Sequence, residues 1–180
     1  NLLGQLSGVA TATRELVDQI AGTSASLVDT RKTVPGLRAL QKAAVQAGGG
    51  QNHRMGLYDA VLIKDNHIAV AGSAEAAVEQ ARATVGPGTS IEIEIESTEQ
   101  LEAVIAAGAD IVMLDNMSVN EIREAVLITD GRCRTEASGG ITIATIREVA
   151  KTGVDMISVG WITHSAPALD VALDLEYLEG

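Results

Sequence analysis

Short apolar runs in this sequence repeatedly end in residues that can do chemistry. In chain order the endings are Asp29-Thr30-Arg31-Lys32, Lys64-Asp65-Asn66-His67, Glu94 to Glu96, Asp115-Asn116, Glu136 to Gly140, and Gly160. Arg31 and Arg54 each offer a planar fork that matches a carboxylate or a phosphate. Ser138-Gly139-Gly140 precedes a helix expected to start near Thr142. Free backbone N–H groups and a helix dipole there suit a phosphate. Gly160 after the last run is the natural second half of such a site, with His164 facing the same rim. His53-Arg54 follows the glycine-rich Gly48-Gly49-Gly50-Gln51-Asn52, and His53 reads either as a ligand-binding group or as a satisfied structural histidine. Glu94, near the end of its run, is the carboxylate best placed for the site, where a bound metal or ligand hydroxyls would answer its charge. Cys133 has no histidine nearby in sequence and reads as structural.

The charge distribution agrees with this inventory. The net charge is -11, which argues against nucleic acid or an anionic membrane as the main partner. Yet the stretch from Arg31 to His67 carries a net +4 from Arg31, Lys32, Arg38, Lys42, Arg54 and Lys64 against Asp59 and Asp65. Such an island is either a site for a small, multiply charged anion or a solvated basic face. A single cysteine excludes a disulfide framework or a multi-cysteine zinc site. No apolar run is long enough to span a bilayer. Asn1 to Ala10 lack the basic start and cleavage site of a signal peptide, and a cytoplasmic setting is expected. Trp161, Tyr58 and Tyr177 are the only aromatic residues, so stacking on aromatic rings is not a theme.

The elements that must position these residues follow from periodicity. Asn1 to Ile20 repeats apolar residues at helical spacing. Strands are expected at Ser26–Asp29, Ala60–Lys64, Ser90–Ile95, Asp110–Leu114, Arg134–Ala137 and Asp155–Val159, with a short seventh at Gly48–Asn52. Helices are expected near Gly36–Ala47, Ala74–Thr84, Thr98–Ala107, Val119–Ile128, Ile143–Lys151 and Pro167–Leu175. Alternation of β and α with nearly all-apolar strands is the pattern of a parallel sheet. An internal echo supports it, since Ala107 to Asp115 resembles Thr152 to Gly160. The Rossmann fingerprint is absent after the first strand, and the chain is shorter than a complete eight-unit barrel. The fold class is therefore α/β, an incomplete or seven-stranded parallel β/α barrel filling residues 1–180. In a barrel, the alternation Ile91-Glu92-Ile93-Glu94-Ile95-Glu96 puts up to three carboxylates on one side. On an open sheet it is instead an edge strand with outward glutamates.

Three blocks carry a family resemblance: Asp29-Thr30-Arg31-Lys32-Thr33-Val34-Pro35-Gly36-Leu37-Arg38, Gly48-Gly49-Gly50-Gln51-Asn52-His53-Arg54 and Leu62-Ile63-Lys64-Asp65-Asn66-His67. Together they resemble the quinolinate phosphoribosyltransferases, the carboxylating nicotinate-nucleotide diphosphorylases, over essentially the whole chain. The resemblance implies transfer of a phosphoribosyl group from 5-phosphoribosyl 1-diphosphate to quinolinate, with Mg²⁺ and loss of carbon dioxide. The products are nicotinate mononucleotide and diphosphate, a step of de novo NAD biosynthesis. It implies that Arg31, His53, Arg54 and Lys64 hold the quinolinate carboxylates. Lys32 and Lys64, with His164 nearby, face the diphosphate. Glu94 and Asp115 bind Mg²⁺ or the ribose hydroxyls and steady positive charge developing on the ribose. Ser138, Gly139, Gly140 and Gly160 take the 5-phosphate. It further implies a homodimer in which the partner subunit completes the site. The family's additional N-terminal α/β domain is expected to be missing here. The alternatives are a non-catalytic anion-binding barrel, a paralogue associated with molybdenum transport, and an unrelated phosphate-binding isomerase.

Overall fold

The computed structural model describes residues 1–176. Helix α1 (Leu2–Gln19) leads into β1 (Ser26–Val28), α2 (Arg38–Ala47), β2 (Val61–Ile63), α3 (Asp65–Ala71) and α4 (Ala74–Thr84). There follow β3 (Ile91–Ile95), a 3₁₀ turn at Thr98–Gln100 running into α5 (Leu101–Ala106), β4 (Ile111–Asp115) and α6 (Val119–Thr129). β5 (Arg134–Ser138), α7 (Ile146–Ala150), β6 (Met156–Ser158) and α8 (Trp161–His164) complete the order. The six strands of the described residues form one parallel sheet in the order β1-β6-β5-β4-β3-β2. First and last strands pair, so the sheet curls into a barrel. The expected seventh strand shrinks to one residue: Gln51 bridges Val28 on the free side of β1. The barrel is left open between Gln51 and β2.

Strand periodicity sorts the side chains. Ile91, Ile93 and Ile95 of β3 are buried in the core between sheet and helices, as are Val112, Leu114, Ala137 and Ile157 of neighbouring strands. Alternate residues face the interior, where Val28, Ile111 and Met156 form a small separate cluster. Glu92 and Glu94 share that inward direction, which settles the alternation in favour of the barrel. Glu96 is not a third interior carboxylate, because it lies exposed past the end of β3. The internal echo is physical as well. Gly108 and Gly153 both take positive φ at the ends of their helices. Two residues later, Asp110 accepts the Ile91 N–H at 2.7 Å and Asp155 accepts the Thr135 N–H at 2.7 Å. Each aspartate ties the start of its strand to the strand before it.

Two expectations fail at the helices. Residues 167–175 form no helix; the segment runs irregular and exposed. Its backbone lies across α1, with the Leu169 N–H bonded to Gly4 O at 3.0 Å. A Cβ at Gly4 would stand 2.6 Å from Leu169 O, and one at Gly8 would collide with Pro167 O. The glycines of α1 thus clear a track for extended chain, and docking outweighs the weak helical pattern. Tyr177 lies outside the described residues. The helix after Gly140 also starts late, at Ile146, because residues 142–145 form a turn with the Thr142 N–H on Thr145 Oγ1 at 3.0 Å. Any anion at Gly139-Gly140 therefore meets turn N–H groups rather than a helix end. Helices α3 and α8 have no counterpart in the periodicity reading, being too short to show a period.

Cys133 is half-buried, and burial pushes its thiol up to about 11. Alkylation by iodoacetamide at pH 8 is expected to run about 10- to 100-fold slower than for a free cysteine, because the thiolate is the nucleophile. Mass spectrometry of a time course checks this.

Candidate active site

The carboxyl ends of the strands surround a cavity of about 730 Å³. Every residue given a binding or catalytic role from sequence lines it: Arg31, Lys32, His53, Arg54, Lys64, Glu94, Asp115, Ser138, Gly139, Gly140, Gly160 and His164; the strand-end residues Asp29, Asp65, Asn66, His67 and Glu96 do not. The basic island is divided, however. Arg31, Lys32, Arg54 and Lys64 reach the cavity, whereas Arg38 and Lys42 do not. Lys42 is fully buried and paired with buried Asp29. Arg38 donates to Thr33 Oγ1 at 3.0 Å and to Arg31 O at 3.2 Å. These two are spent on structure, which composition could not reveal.

Two of the cavity's cations are held at close quarters. Arg31 Nε is buried without a hydrogen-bond partner among the described residues. Burial lowers the pKa of Arg54, and the positive charge of Arg31 lowers it further. Two guanidinium groups close enough to repel, one with an orphaned N–H, are poised for a bound anion. Lys64 Nζ meets Glu94 at 2.5 Å, and the Lys64 N–H donates to His67 Nδ1 at 2.9 Å. Asp115 Oδ2 accepts from Asn116 Nδ2 at 2.6 Å.

His53 has an unexpected setting. Its Nε2 faces Glu92 at 2.9 Å and Glu136 at 3.3 Å, and both carboxylates are buried in the barrel interior. Its Nδ1 accepts the Arg54 N–H at 2.8 Å. The three groups lie close enough to suggest a metal site. A metal on Nε2 would leave the proton on Nδ1, where the Arg54 N–H already points. The arrangement is instead a proton-holding cluster, with His53 Nε2 close to both carboxylates and neither Glu136 oxygen hydrogen-bonded among the described residues. Burial opposes a charged ring, but Glu136 and Glu92 outweigh it and lift the His53 pKa to about 10. Burial also raises Glu92, as does Glu136 beside it, with His53 pulling the other way. Both shifts say that the cluster as a whole binds a proton tightly; because Nδ1 accepts the Arg54 N–H, that proton lies between Nε2 and the two carboxylates and not on Nδ1.

This gives a pH dependence with a definite sign. A group with a raised folded pKa stabilises fully below its unfolded pKa and loses that contribution as pH rises through the folded value. For His53 the window runs from about 6.5 to about 10. Stability from urea unfolding is expected to fall across that range, and Glu136→Gln is expected to flatten the slope. Sequence reading named Glu136 only as a strand-end residue, because its meeting with His53 joins residues far apart in the chain.

The rim between β4 and β5 is tight. Gly139 and Gly140 take φ of +95° and +59° and both line the cavity. A Cβ on Gly139 would collide with the Asn116 side chain and stand 2.8 Å from Asn116 N. Asn116 itself has φ +55° and donates its N–H to Ser138 O at 2.9 Å. Gly160 sits opposite, where a Cβ would come 3.1 Å from Lys32 Cδ and 3.4 Å from Thr30 Oγ1. Ser158 and Trp161 are among the lining residues that the sequence reading did not propose for the site. Trp161 has its Nε1–H bonded to Ile141 O at 3.2 Å.

Comparison with known proteins agrees with this geometry. The family model for the quinolinate phosphoribosyl transferase C-terminal domain matches residues 9–174. A probable nicotinate-nucleotide pyrophosphorylase (carboxylating) of Bacillus subtilis is 50% identical over 97% of this chain and 61% of its own length. The nicotinate-nucleotide pyrophosphorylase (carboxylating) of Mycobacterium leprae is 48% identical over 97% of this chain and 62% of its own. Among solved structures, NadC from Streptococcus pyogenes superposes with a TM-score of 0.94 at 44% identity, covering 99% of this chain and 63% of that one. The nicotinate-nucleotide pyrophosphorylase from Francisella tularensis gives 0.88 at 50% identity, covering 92% of this chain and 59% of that one. The chain thus spans about three-fifths of the length of the relatives it matches. It belongs to the quinolinate phosphoribosyl transferase family and corresponds to that family's C-terminal domain.

Proposed function

We propose that this chain carries the catalytic barrel for phosphoribosyl transfer from 5-phosphoribosyl 1-diphosphate to quinolinate, with decarboxylation to nicotinate mononucleotide, diphosphate and carbon dioxide. The observation that carries the reading is the convergence of Arg31, Arg54, Lys32 and Lys64 on one cavity with the Gly139-Gly140 turn on its rim. A dicarboxylate and a phosphorylated sugar need those two features side by side. Relatives named for this chemistry at 50% and 48% identity support it over a non-catalytic anion-binding barrel or a transport-associated paralogue.

Arg31, Arg54 and Lys64 receive the two ring carboxylates, orienting the ring nitrogen toward the sugar. His53 supports this site with both ring nitrogens engaged, holding the Arg54 backbone through Nδ1. Ser138, Gly139, Gly140 and Gly160 bind the 5-phosphate. Lys32, Lys64 and His164 face the departing diphosphate. Catalysis is electrostatic: fixed cations stabilise charge on the leaving group, and Glu94 and Asp115 steady positive charge on the ribose. No protein nucleophile is used. Once the nitrogen is quaternary, its positive charge stabilises the electron pair left on the adjacent ring carbon as carbon dioxide leaves, and a proton from solvent then completes the C–H bond of nicotinate mononucleotide.

Mg²⁺ belongs to this reading. Glu94 and Asp115 offer hard oxygen donors on adjacent strands, the donor chemistry that Mg²⁺ takes together with substrate oxygens. When bound, the ion neutralises diphosphate charge. A homodimer is also proposed, with the partner subunit completing the site. Leu57, Tyr58 and Val70, strongly exposed between Arg54 and α4, suit a covering surface. A cytoplasmic location is proposed as well; no helix among the described residues is long and apolar enough to cross a membrane.

The test is incubation with quinolinate, 5-phosphoribosyl 1-diphosphate and Mg²⁺, with nicotinate as the control base. Nicotinate mononucleotide from quinolinate alone is the expected product. Equal product from nicotinate, or a ribosyl adduct trapped on Glu94 or Asp115, would overturn the mechanism.

A further inference from the structure

Three residues of α2 do work that the proposed reaction has not yet absorbed. Arg38, Gln41 and Lys42 stand at i, i+3 and i+4, hence on one helix face. Gln41 is 5% exposed and Lys42 fully buried. Burying an amide and an ammonium is costly unless their partners are fixed, so the partners show what the cost maintains. Lys42 Nζ bonds to Asp29 and donates to His53 O at 3.0 Å. Asp29 Oδ1 accepts the His53 N–H at 2.8 Å. With its amide nitrogen turned toward acceptors, Asn52 donates to Asp29 Oδ2 at 2.8 Å and to Lys42 O at 3.0 Å. The residue gripped at both its N–H and its C=O is His53, immediately before Arg54, and the residue that grips it leads into Thr30-Arg31.

Gln41 has a different reach. Its Oε1 accepts the Val34 N–H at 2.9 Å, and its Nε2 donates to Thr163 O at 2.5 Å. Thr163 Oγ1 in turn donates to Lys32 O at 2.7 Å and to Gly160 O at 3.0 Å. Neither Gln41 nor Lys42 lines the cavity.

We propose that Lys42 and Gln41 are positioning residues that set two halves of the site separately. Lys42, through Asp29 and His53, fixes the arginines that receive the dicarboxylate. Gln41, through Val34 and Thr163, fixes Lys32 against the Gly160–His164 turn that receives the phosphorylated substrate. This rests on the functional reading above for the identity of the two ligands, and on the hydrogen bonds alone for the positioning.

The test uses two variants of the whole chain. Asp29→Asn/Lys42→Met removes both buried charges together, avoiding an orphaned carboxylate. Gln41→Met keeps the volume and removes both bonds. Calorimetry is expected to show the double variant binding quinolinate about tenfold more weakly with little change for 5-phosphoribosyl 1-diphosphate, and Gln41→Met showing the reverse, since small misplacements of binding groups are costly. A loss of stability alone would weaken both ligands together, and that result overturns the proposal. If the parent chain binds neither ligand, the functional reading fails instead. Amide hydrogen exchange on the unliganded chain then decides the positioning. Selective acceleration at His53 and Arg54 in the double variant, and at Val34 and Lys32 in Gln41→Met, supports it. Uniform acceleration, or none, contradicts it.

Discussion

Arg54→Ala is expected to weaken quinolinate binding by about 2–4 kcal/mol, roughly 30- to 1,000-fold, because it orphans a carboxylate in a partly desolvated site. The size follows from the setting. Arg54 is half-buried, its charge already opposed by burial and by Arg31. A dianion relieves that repulsion, so removing one guanidinium removes both a fork and the reason for the site's selectivity. Arg54→Lys is expected to recover only part of the loss, since a point charge cannot make a bidentate contact. Lys151→Ala is the charge control. Lys151, the residue after α7, makes an exposed pair with Glu148, and its removal is expected to leave affinity unchanged within error. Calorimetric titration of the three variants checks the series, and equal affinity for Arg54→Ala and the parent would remove Arg54 from the site.

Gly139→Ala is expected to be the most damaging substitution on the phosphate side. At φ +95° any L side chain is strained, by about 1–2 kcal/mol. The added methyl would also strike Asn116, whose own left-handed backbone is bonded to Ser138. The β4–β5 rim would have to open, taking the N–H groups out of register with a phosphate. A loss of about 100-fold in affinity for 5-phosphoribosyl 1-diphosphate is expected, in line with the cost of small misplacements. Gly140→Ala separates the causes. Its φ is +59° and a Cβ there meets nothing within 4 Å, so it adds strain without collision. A loss of about tenfold or less is expected there. Matching losses in the two variants would mean that strain rather than the Asn116 contact controls the rim.

The fold was readable where local pattern and long-range order agree. Each of the six strands lies within two residues of its expected bounds, because buried parallel strands show as apolar runs between glycine-ended helices. The cavity was readable for a related reason. A barrel carries function at its strand ends, and a residue just past an apolar run is visible in sequence. What was hidden depends on distant partners. Arg38 and Lys42 look like surface charge until Asp29 and the loop backbones are placed around them. His53 lines the cavity, but its partners Glu92 and Glu136 are brought to it from two different strands and leave no local signal in the sequence. The segment 167–175 failed in the other direction: its helical pattern was local, and the track on α1 that overrides it is made by glycines near the opposite end of the chain.

The most direct test of the central claim is calorimetric titration of this chain with quinolinate and, separately, with nicotinate. On the proposed reading, one carboxylate answers the Arg31 and Arg54 guanidinium groups and the second competes with Glu94 for Lys64. Quinolinate is therefore expected to bind at least tenfold more tightly than nicotinate, because a missing partner leaves buried polar groups unpaired. Arg31→Ala is expected to erase that preference. Equal affinity for the two acids, or a preference that survives Arg31→Ala, would contradict the account.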